Sequence, residues 1–427
     1  MIIVVGAGLA GLTCAKVLHE QRHPFMLLEA SDGPGGRVRT DVTPSGYRLD
    51  RGFQVLFTAY PAARRHLSLA RLDLRRFDRG ALIALDGKLR TLSDPTRDPG
   101  ALLPSLLTGI IPFADKRRVL PLVREVTRAS LENIFAEDAP PASTLEYLRG
   151  RGFSETFIDR FARPFYGGIF LDRSLETSAA MFRFTFKMLV QGDTVVPSAG
   201  IGAIAEQLAR LLPVQDVRYG ARVVEVLTDG TRAYGVRTED GTIVDADAVV
   251  VAADPPTTAR LTGAALPKAP VVTTCVYFSS SRSLYSGKKI VLNAAPDAYV
   301  NNLVQITNIA PSYAPAGQHL VSATLLELPQ GRDDAIAARA LDDIKRMFPR
   351  RATAALTPLS LVRVPFAQFA QPPGIFERLP SNATGVAGLI VAGEGTLSSS
   401  IQGAMLSGQR AAGEALRAVD TGALSPV

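Results

Sequence analysis

Tryptophan is absent from this sequence, cysteine occurs twice and histidine four times. Two cysteines, Cys14 and Cys275, cannot build a disulfide framework, and Cys14 falls inside a predicted helix where a buried free thiol is expected. His19, His23, His66 and His319 are scattered without ligand spacing, so no metal site is expected. No stretch reaches the roughly 18 to 20 apolar residues that span a bilayer. The run Ile2–Val5 opens at the initiator Met without a basic flank, so no signal peptide is expected. The net charge of +7 and pI near 9.5 would permit a nucleic-acid partner. The arginines are dispersed, however, and no nucleic-acid-binding motif accompanies them, so none is expected. A cytoplasmic location fits, with room for peripheral contact at a membrane surface. What is present is a globular composition, 47% hydrophobic and 20% charged, in 427 residues, a length that favours two domains.

The most informative stretch is the first. Ile2–Val5 is a β-branched run of the kind buried in a parallel sheet, and Gly6-Ala7-Gly8-Leu9-Ala10-Gly11 comes directly after it. A helical pattern then carries Leu12, Ala15 and Leu18 to about Arg22, and a second apolar run, Phe25–Leu28, ends in Glu29. Strand, glycine turn, helix, strand and acid make a dinucleotide-binding unit. Gly6 permits the tight turn, Gly8 admits a pyrophosphate to the backbone, and Gly11 lets the helix pack on the sheet. The free N–H groups and dipole of the helix start attract the diphosphate. Glu29 can accept hydrogen bonds from both adenosine ribose hydroxyls.

The segment on the C-terminal side of Glu29 decides the cofactor: Ala30-Ser31-Asp32-Gly33-Pro34-Gly35-Gly36-Arg37. Here the chain resembles the FAD-binding superfamily of monoamine and polyamine oxidases, protoporphyrinogen oxidase and phytoene desaturases, in which a Gly-Gly-Arg segment succeeds the ribose acid. A guanidinium such as Arg37 forks well onto phosphate oxygens. Three further segments match in order. Leu49-Asp50-Arg51-Gly52-Phe53-Gln54-Val55 resembles the segment passing beside the flavin ring, and within 221–226 Val223 matches the residue whose backbone pairs with adenine. At the C-terminal end, Gly388 to Gly395, then Ser398-Ser399-Ser400-Ile401-Gln402-Gly403-Ala404 and Ser407-Gly408, reads as strand, Gly-Glu turn and helix start. By resemblance Glu394 serves the ribityl or phosphate region, and the Ile401 N–H points at the flavin N1–C2=O edge, where a helix N-terminus favours the charge of the reduced ring.

The resemblance implies non-covalent FAD held by Gly6, Gly8, Ala10, Gly11, Glu29, Ala30, Gly36, Arg37, Gln54, Val55, Val223, Gly393, Glu394, Ile401, Gln402 and Ala404. The expected fold is α/β, a discontinuous Rossmann-like FAD/NAD(P)-binding domain (1–58, 192–262 and 385–427) beside a mixed α+β substrate domain (59–191 and 263–384). The first insertion reads mainly as helices broken at Pro140-Pro141 and around Gly167-Gly168. The second mixes strands at 271–278 and 320–326 with a helix near 334–348. Turns at Asp229-Gly230 and Asp240-Gly241 mark a meander in the cofactor domain.

Such a flavin accepts hydride at N5, and the donor is the open question. Amine oxidases of the superfamily set two aromatic rings before the flavin, one of them just ahead of the backbone donor. That position is Ser400 here, and Thr396-Leu397-Ser398-Ser399 lacks the thiol of covalent-flavin relatives. The string Ser-Ser-Ile-Gln-Gly-Ala-Met-Leu-Ser-Gly is more similar to the phytoene-desaturase branch, which implies a hydrophobic, isoprenoid or carotenoid-like substrate. Phe161 to Phe170 and Met181 to Phe184 are candidates for an apolar tunnel, or else plain helix core. An amine or porphyrinogen oxidase is the alternative, and a non-redox isomerase or apolar-ligand binder is the alternative from another class. No catalytic acid or base is identifiable; Lys187, Lys288 and Arg363 are the polar candidates. The apolar stretch from Ala101 to Phe113, with Lys116-Arg117-Arg118 beyond it, and the arginines Arg64, Arg65, Arg71, Arg75, Arg76 and Arg79 suit an anionic membrane surface.

Overall fold

The computed structural model describes residues 1–93, 109–136 and 140–423. Its centre is a five-stranded parallel sheet in which Ile2–Val5 lies between Phe25–Leu28 and Ala248–Val251. Val217–Arg218 borders Phe25–Leu28 on one edge, and Leu389–Val391 borders Ala248–Val251 on the other. Ile2–Val5 and Ala248–Val251 are fully buried runs of aliphatic residues, as a parallel sheet covered on both faces requires. Helices Leu9–Glu20 and Ile401–Ala423 pack together on this sheet. Gly408 makes the seam possible, because a Cβ there would stand 2.0 Å from the Ala10 carbonyl oxygen.

Val223–Thr228, Ala233–Thr238 and Ile243–Asp245 form the expected antiparallel meander. Its turns place Gly230 and Gly241 at positive φ. The largest sheet has seven strands, with Pro270–Ser280 between Thr357–Phe369 and His319–Leu325. Beyond these lie Asn302–Gln305, Ile290–Asn293, Ala81–Leu85 and Lys88–Leu92. Helix Asp333–Met347 buries Ile336, Ala340 and Ile344 in the core on one face of that sheet, with Val276, Phe278 and Val321. The opposite face packs Cys275, Tyr277 and Val304 with Tyr47 and Leu49, so the segment around residues 50–55 rests on this sheet.

Three sequence expectations need correction. The first insertion is not only helical, since Leu74–Arg76 pairs with Thr194–Pro197 and residues 81–92 form a hairpin on the large sheet. Gly167 and Gly168 do not break a helix but lie inside Arg163–Phe170. A Cβ on Gly168 would meet the Asn302 side chain at 2.7 Å, and one on Gly167 the Arg173 Cα at 3.0 Å. Close approach to neighbouring elements, not turn formation, sets these glycines. The second insertion also holds a long strand, Thr357–Phe369, that its sequence pattern does not announce.

Candidate active site

Two glycine turns stand side by side at the carboxyl end of the first strand. Gly6 has φ +102°, and a Cβ on it would lie 2.9 Å from the Ala252 carbonyl oxygen. Gly11 is more constrained, since its Cβ would fall 1.9 Å from the Gly6 oxygen. Gly8 differs from both: nothing lies within 4 Å of where its Cβ would be. It is the N-cap of helix Leu9–Glu20 and offers no side chain to the first-turn N–H groups, which therefore face open space. Opposite it runs the second turn, tied by the Gly35 N–H to the Ala7 carbonyl at 2.8 Å. A Cβ on Gly36 would touch only the Gly8 Cα, at 3.7 Å. The two turns form a bare backbone cleft suited to a diphosphate.

Glu29 closes one end of this cleft. Its Oε2 accepts the Ala7 N–H at 2.6 Å, and Oε1 accepts the Ser31 N–H at 2.8 Å and the Ser31 hydroxyl at 2.7 Å. A carboxylate offers about four lone-pair sites, so with three in use about one remains for a ribose hydroxyl. Ala30 is exposed beside it. Gly220 and Ala221 donate their N–H groups to the Ser31 and Glu29 carbonyls, which brings the start of the meander, and Val223, to this end.

Arg37 reaches across the chain. Its Nη1 bonds Glu394 Oε1 at 2.5 Å and the Ala367 carbonyl at 2.9 Å. The Arg37 peptide is held in turn, because Gln54 Nε2 donates to its carbonyl at 2.8 Å and to that of Arg51 at 3.1 Å. Glu394 is buried, with Oε2 accepting the Ser399 hydroxyl at 2.5 Å. In this arrangement it acts on the cleft through Arg37 rather than by opening onto it.

The C-terminal turn is organised by polar side chains. Gly393 has φ +138°, and its N–H donates to Ser407 Oγ at 2.9 Å. Ser407 Oγ also meets Thr396 Oγ1 at 2.7 Å and accepts from Asn382 Nδ2 at 3.0 Å, while Asn382 donates to the Val391 carbonyl at 2.8 Å. Helix Ile401–Ala423 begins directly after. Ser400 Oγ accepts the Gly403 N–H at 2.9 Å, an N-cap bond that leaves the N–H groups of Ile401 and Gln402 without an intrahelical partner. Ser400, where the resemblance would set an aromatic ring in an amine oxidase, is here a helix cap.

Gly6, Gly8, Glu29, Arg37, Gln54, Val55, Gly393, Ile401 and Ala404 are all half-buried, as residues bordering a ligand lane would be. Gly11, Val223, Glu394 and Gln402 are buried. The Gln402 side chain turns inward to accept the Ala62 N–H at 2.8 Å, and Ala10 sits in the helix–helix seam. These residues fit a dinucleotide: bare glycines, open helix N-termini, a guanidinium and a ribose-type acid line the path.

Several contributors escape sequence reasoning. Asp50 is buried, its Oδ1 accepting the Thr40 hydroxyl at 2.6 Å and the Ile201 N–H at 3.0 Å, and its Oδ2 the Tyr313 hydroxyl at 2.8 Å. Tyr277 donates to its carbonyl at 2.6 Å. Burial raises the carboxyl from 3.8 to about 6, against the pull of those donors. Asp50 fixes the start of the loop that carries Gln54 and Val55. Its one signal is its place in the Leu49 to Val55 segment. Asn382, Ser407 and Gln371, whose Oε1 accepts the Ser399 N–H at 2.9 Å, leave no comparable pattern.

The polar candidates stand apart from the lane. Lys187 Nζ caps the C-terminal end of helix Phe113–Arg128 through the carbonyls of Val126 (2.8 Å) and Thr127 (3.0 Å), and burial lowers its ammonium below the usual lysine value. Arg363 pairs with Asp333 at 2.7 Å, and the backbone N–H of Lys288 donates to the Asp78 carboxylate at 3.0 Å. Burial pushes the Cys14 thiol up to about 12 and the Cys275 thiol to about 11, so both are inert. Among the described residues no cluster of three metal-binding side chains occurs, and no helix is long and apolar enough to cross a membrane.

The aromatic stretches divide. Met181, Phe182, Phe184, Tyr166 and Phe170 are buried core. Phe161, Phe165 and Ile169, one helical face at four-residue spacing, stay half-buried, with Phe161 and Phe165 stacked at 5.1 Å. The Ile169 end of this face is tied near the candidate site, since Gln368 Nε2 donates to the Ile169 carbonyl at 2.7 Å one residue beyond the Ala367 carbonyl held by Arg37. The apolar stretch beginning at Ala101 lies outside the described residues as far as 108. Of the basic neighbourhood, Arg75 pairs with Asp73, and Arg76 and Arg79 with Asp193.

Comparison with known proteins agrees with this geometry. Residues 9–416 match the family described as flavin containing amine oxidoreductase. The chain is 29% identical over 291 residues to a zeta-carotene-forming phytoene desaturase of Myxococcus xanthus, covering 60% of this chain and 53% of that protein. It is 24% identical to the zeta-carotene desaturase of a Synechocystis strain, over 96% of each chain. The crystal structure of an oxidoreductase from Methanosarcina mazei superposes with a TM-score of 0.75 at 21% identity, covering 96% of this chain and 99% of that one. The cleft, the lane and these likenesses together make the chain an FAD-dependent oxidoreductase that belongs to the flavin-containing amine oxidoreductase family, in its phytoene desaturase-like branch.

Proposed function

We propose that this chain is a dehydrogenase or desaturase of a hydrophobic, isoprenoid or carotenoid-like substrate. Bound in the lane, FAD supplies the hydride acceptor at its N5. In this reading Gly8, Gly36 and the open start of helix Leu9–Glu20 cradle the diphosphate, with Arg37 forked onto its oxygens. Glu29 accepts a ribose hydroxyl, and the backbone near Val223 borders the adenine. Gln54 and Val55 hold the loop beside the ring, and the Ile401 N–H with its helix dipole favours negative charge at the pyrimidine edge.

The observation that carries the substrate reading is the kind of side chain bordering the lane. Phe161, Phe165 and Ile169 present an apolar face that aligns a C–H donor and excludes water. Lys187 and Arg363, two of the polar candidates, are committed to a helix end and to Asp333. Ser400 takes the place of an aromatic guide for an amine. The relatives named as phytoene and zeta-carotene desaturases support the same reading. Anaerobic mixing of the holoprotein with micellar phytoene should bleach the flavin absorbance, while a panel of primary and secondary amines should not. Bleaching by amines alone would replace the proposal with an amine oxidase. Flavin that stays oxidised with every donor would point to a non-redox role.

A further inference from the structure

Helix Phe113–Arg128 presents two different faces. On its inner side Leu122 and Val126 are buried, and Asp115 accepts the Ser154 N–H at 3.0 Å and the Ser154 hydroxyl at 2.5 Å. Glu125, on the flank, accepts the Tyr147 hydroxyl at 3.0 Å and pairs with Arg151 and with Arg183. Lys187 caps the C-terminal end. The helix is thus firmly seated by one side alone.

The outer side carries Phe113, Arg117, Leu120, Pro121, Arg124 and Arg128, all exposed. At 3.6 residues per turn these fall within an arc of roughly 100°. Phe113 and Leu120 are 64% and 56% exposed, among the most exposed large apolar side chains of the described residues. Arg117, Arg124 and Arg128 have no ion-pair partner among the described residues, and no acid lies on the stripe. Large apolar residues interleaved with unpaired guanidinium groups, along about 24 Å of helix, are what lets a helix lie in the headgroup region of a bilayer. Pro121 offers no N–H to the Arg117 carbonyl, so this face also suits a wet, polar boundary better than a dry protein interface.

We propose that the outer stripe of helix Phe113–Arg128 docks this protein on an anionic lipid surface, with Phe113 and Leu120 entering the headgroup boundary and Arg117, Arg124 and Arg128 pairing with lipid phosphates. The inference does not rest on the identity of the substrate. It does place the membrane one layer from helix Ala179–Gln191, which the docking helix contacts through Lys187 and Arg183.

The test is sedimentation of the FAD-loaded protein with vesicles of equal parts phosphatidylcholine and phosphatidylglycerol, and with vesicles of phosphatidylcholine alone. Binding to the mixed vesicles that weakens with added salt is the expected result. The triple variant R117E/R124E/R128E should bind them on the order of 100-fold more weakly, at about tenfold or less per basic residue. F113S/L120S should weaken binding while keeping its salt dependence. Flavin content and melting temperature equal to the parent protein establish that the variants are folded; should the triple variant fail this, R124Q alone gives the same reading with a several-fold loss. Parent protein that stays in the supernatant with both vesicle types overturns the proposal, as does a folded triple variant that binds like the parent. Retention of duplex DNA by the parent with no vesicle binding overturns it in favour of a nucleic-acid surface.

Discussion

The glycine turn after the first strand and the turn before the last helix are secured in opposite ways. The N-terminal turn is held by exclusion: Gly6 and Gly11 sit where any Cβ would collide with the Ala252 or Gly6 backbone. The C-terminal turn is held by a buried polar knot in which Ser407 joins Gly393, Thr396 and Asn382. The first tolerates almost no change at Gly6 and Gly11 and rests on no titrating group. The second depends on hydrogen bonds whose loss is graded. A cofactor lane can be built from either device, and only the steric one leaves an unmistakable mark in sequence.

The largest effect should come from breaking the steric side. Gly11→Val forces carbon into the Gly6 carbonyl, and overpacking of this kind costs about 3 kcal/mol or more. We expect little folded protein and no flavin, measured by thermal melting and flavin absorbance. Gly8→Val is the contrast, since its Cβ meets only open space: the protein should melt near the parental temperature yet be colourless. A Gly8→Val protein that retains FAD would refute the placement of the diphosphate.

The comparison extends to pH. Asp50 is the buried carboxyl beneath the Gln54 loop, raised from 3.8 to about 6 by burial. A folded-state value above the unfolded one means that its protonation favours the native state: that stability is fully present below about pH 4 and lost as pH rises through about 6. The span corresponds to about 3 kcal/mol at most. The parent protein should therefore lose melting temperature between about pH 4 and pH 6, Asp50→Asn should flatten that fall, and equal slopes for the two proteins would count against it. The smallest effect belongs to the polar knot. Ser407→Ala leaves the Gly393 N–H without an acceptor and removes one of those used by Asn382, at about 1–3 kcal/mol. It should read out as faster flavin release with the fold retained.

How much of the molecule is legible in its sequence divides along the same line. Gly6, Gly8, Gly11 and Glu29 are legible because each answers one local requirement of a strand–turn–helix unit. The meander is legible from its Asp-Gly turns. Gly167 and Gly168 mislead, because their cause lies across space, in Arg173 and Asn302, whereas a Gly-Gly pair read alone signals a break. Leu74–Arg76 pairs with Thr194–Pro197, far along the chain, and carries no clean alternation of its own. Thr357–Phe369 is half-exposed along most of its length, which hides its period. Asn382 and Gln371 serve the site through contacts with distant parts of the chain that no local spacing encodes.

The central sheet takes its first strand from residues 2–5 and its last from 389–391. During synthesis, then, the hydrogen-bonding edge of Ala248–Val251 waits unpaired while some 140 further residues emerge, a long interval for a sticky edge. Flavin capture cannot be an early event on the ribosome, because half of its holder has not yet been translated. Nascent chains of this architecture should therefore lean on chaperones until the last strand is made.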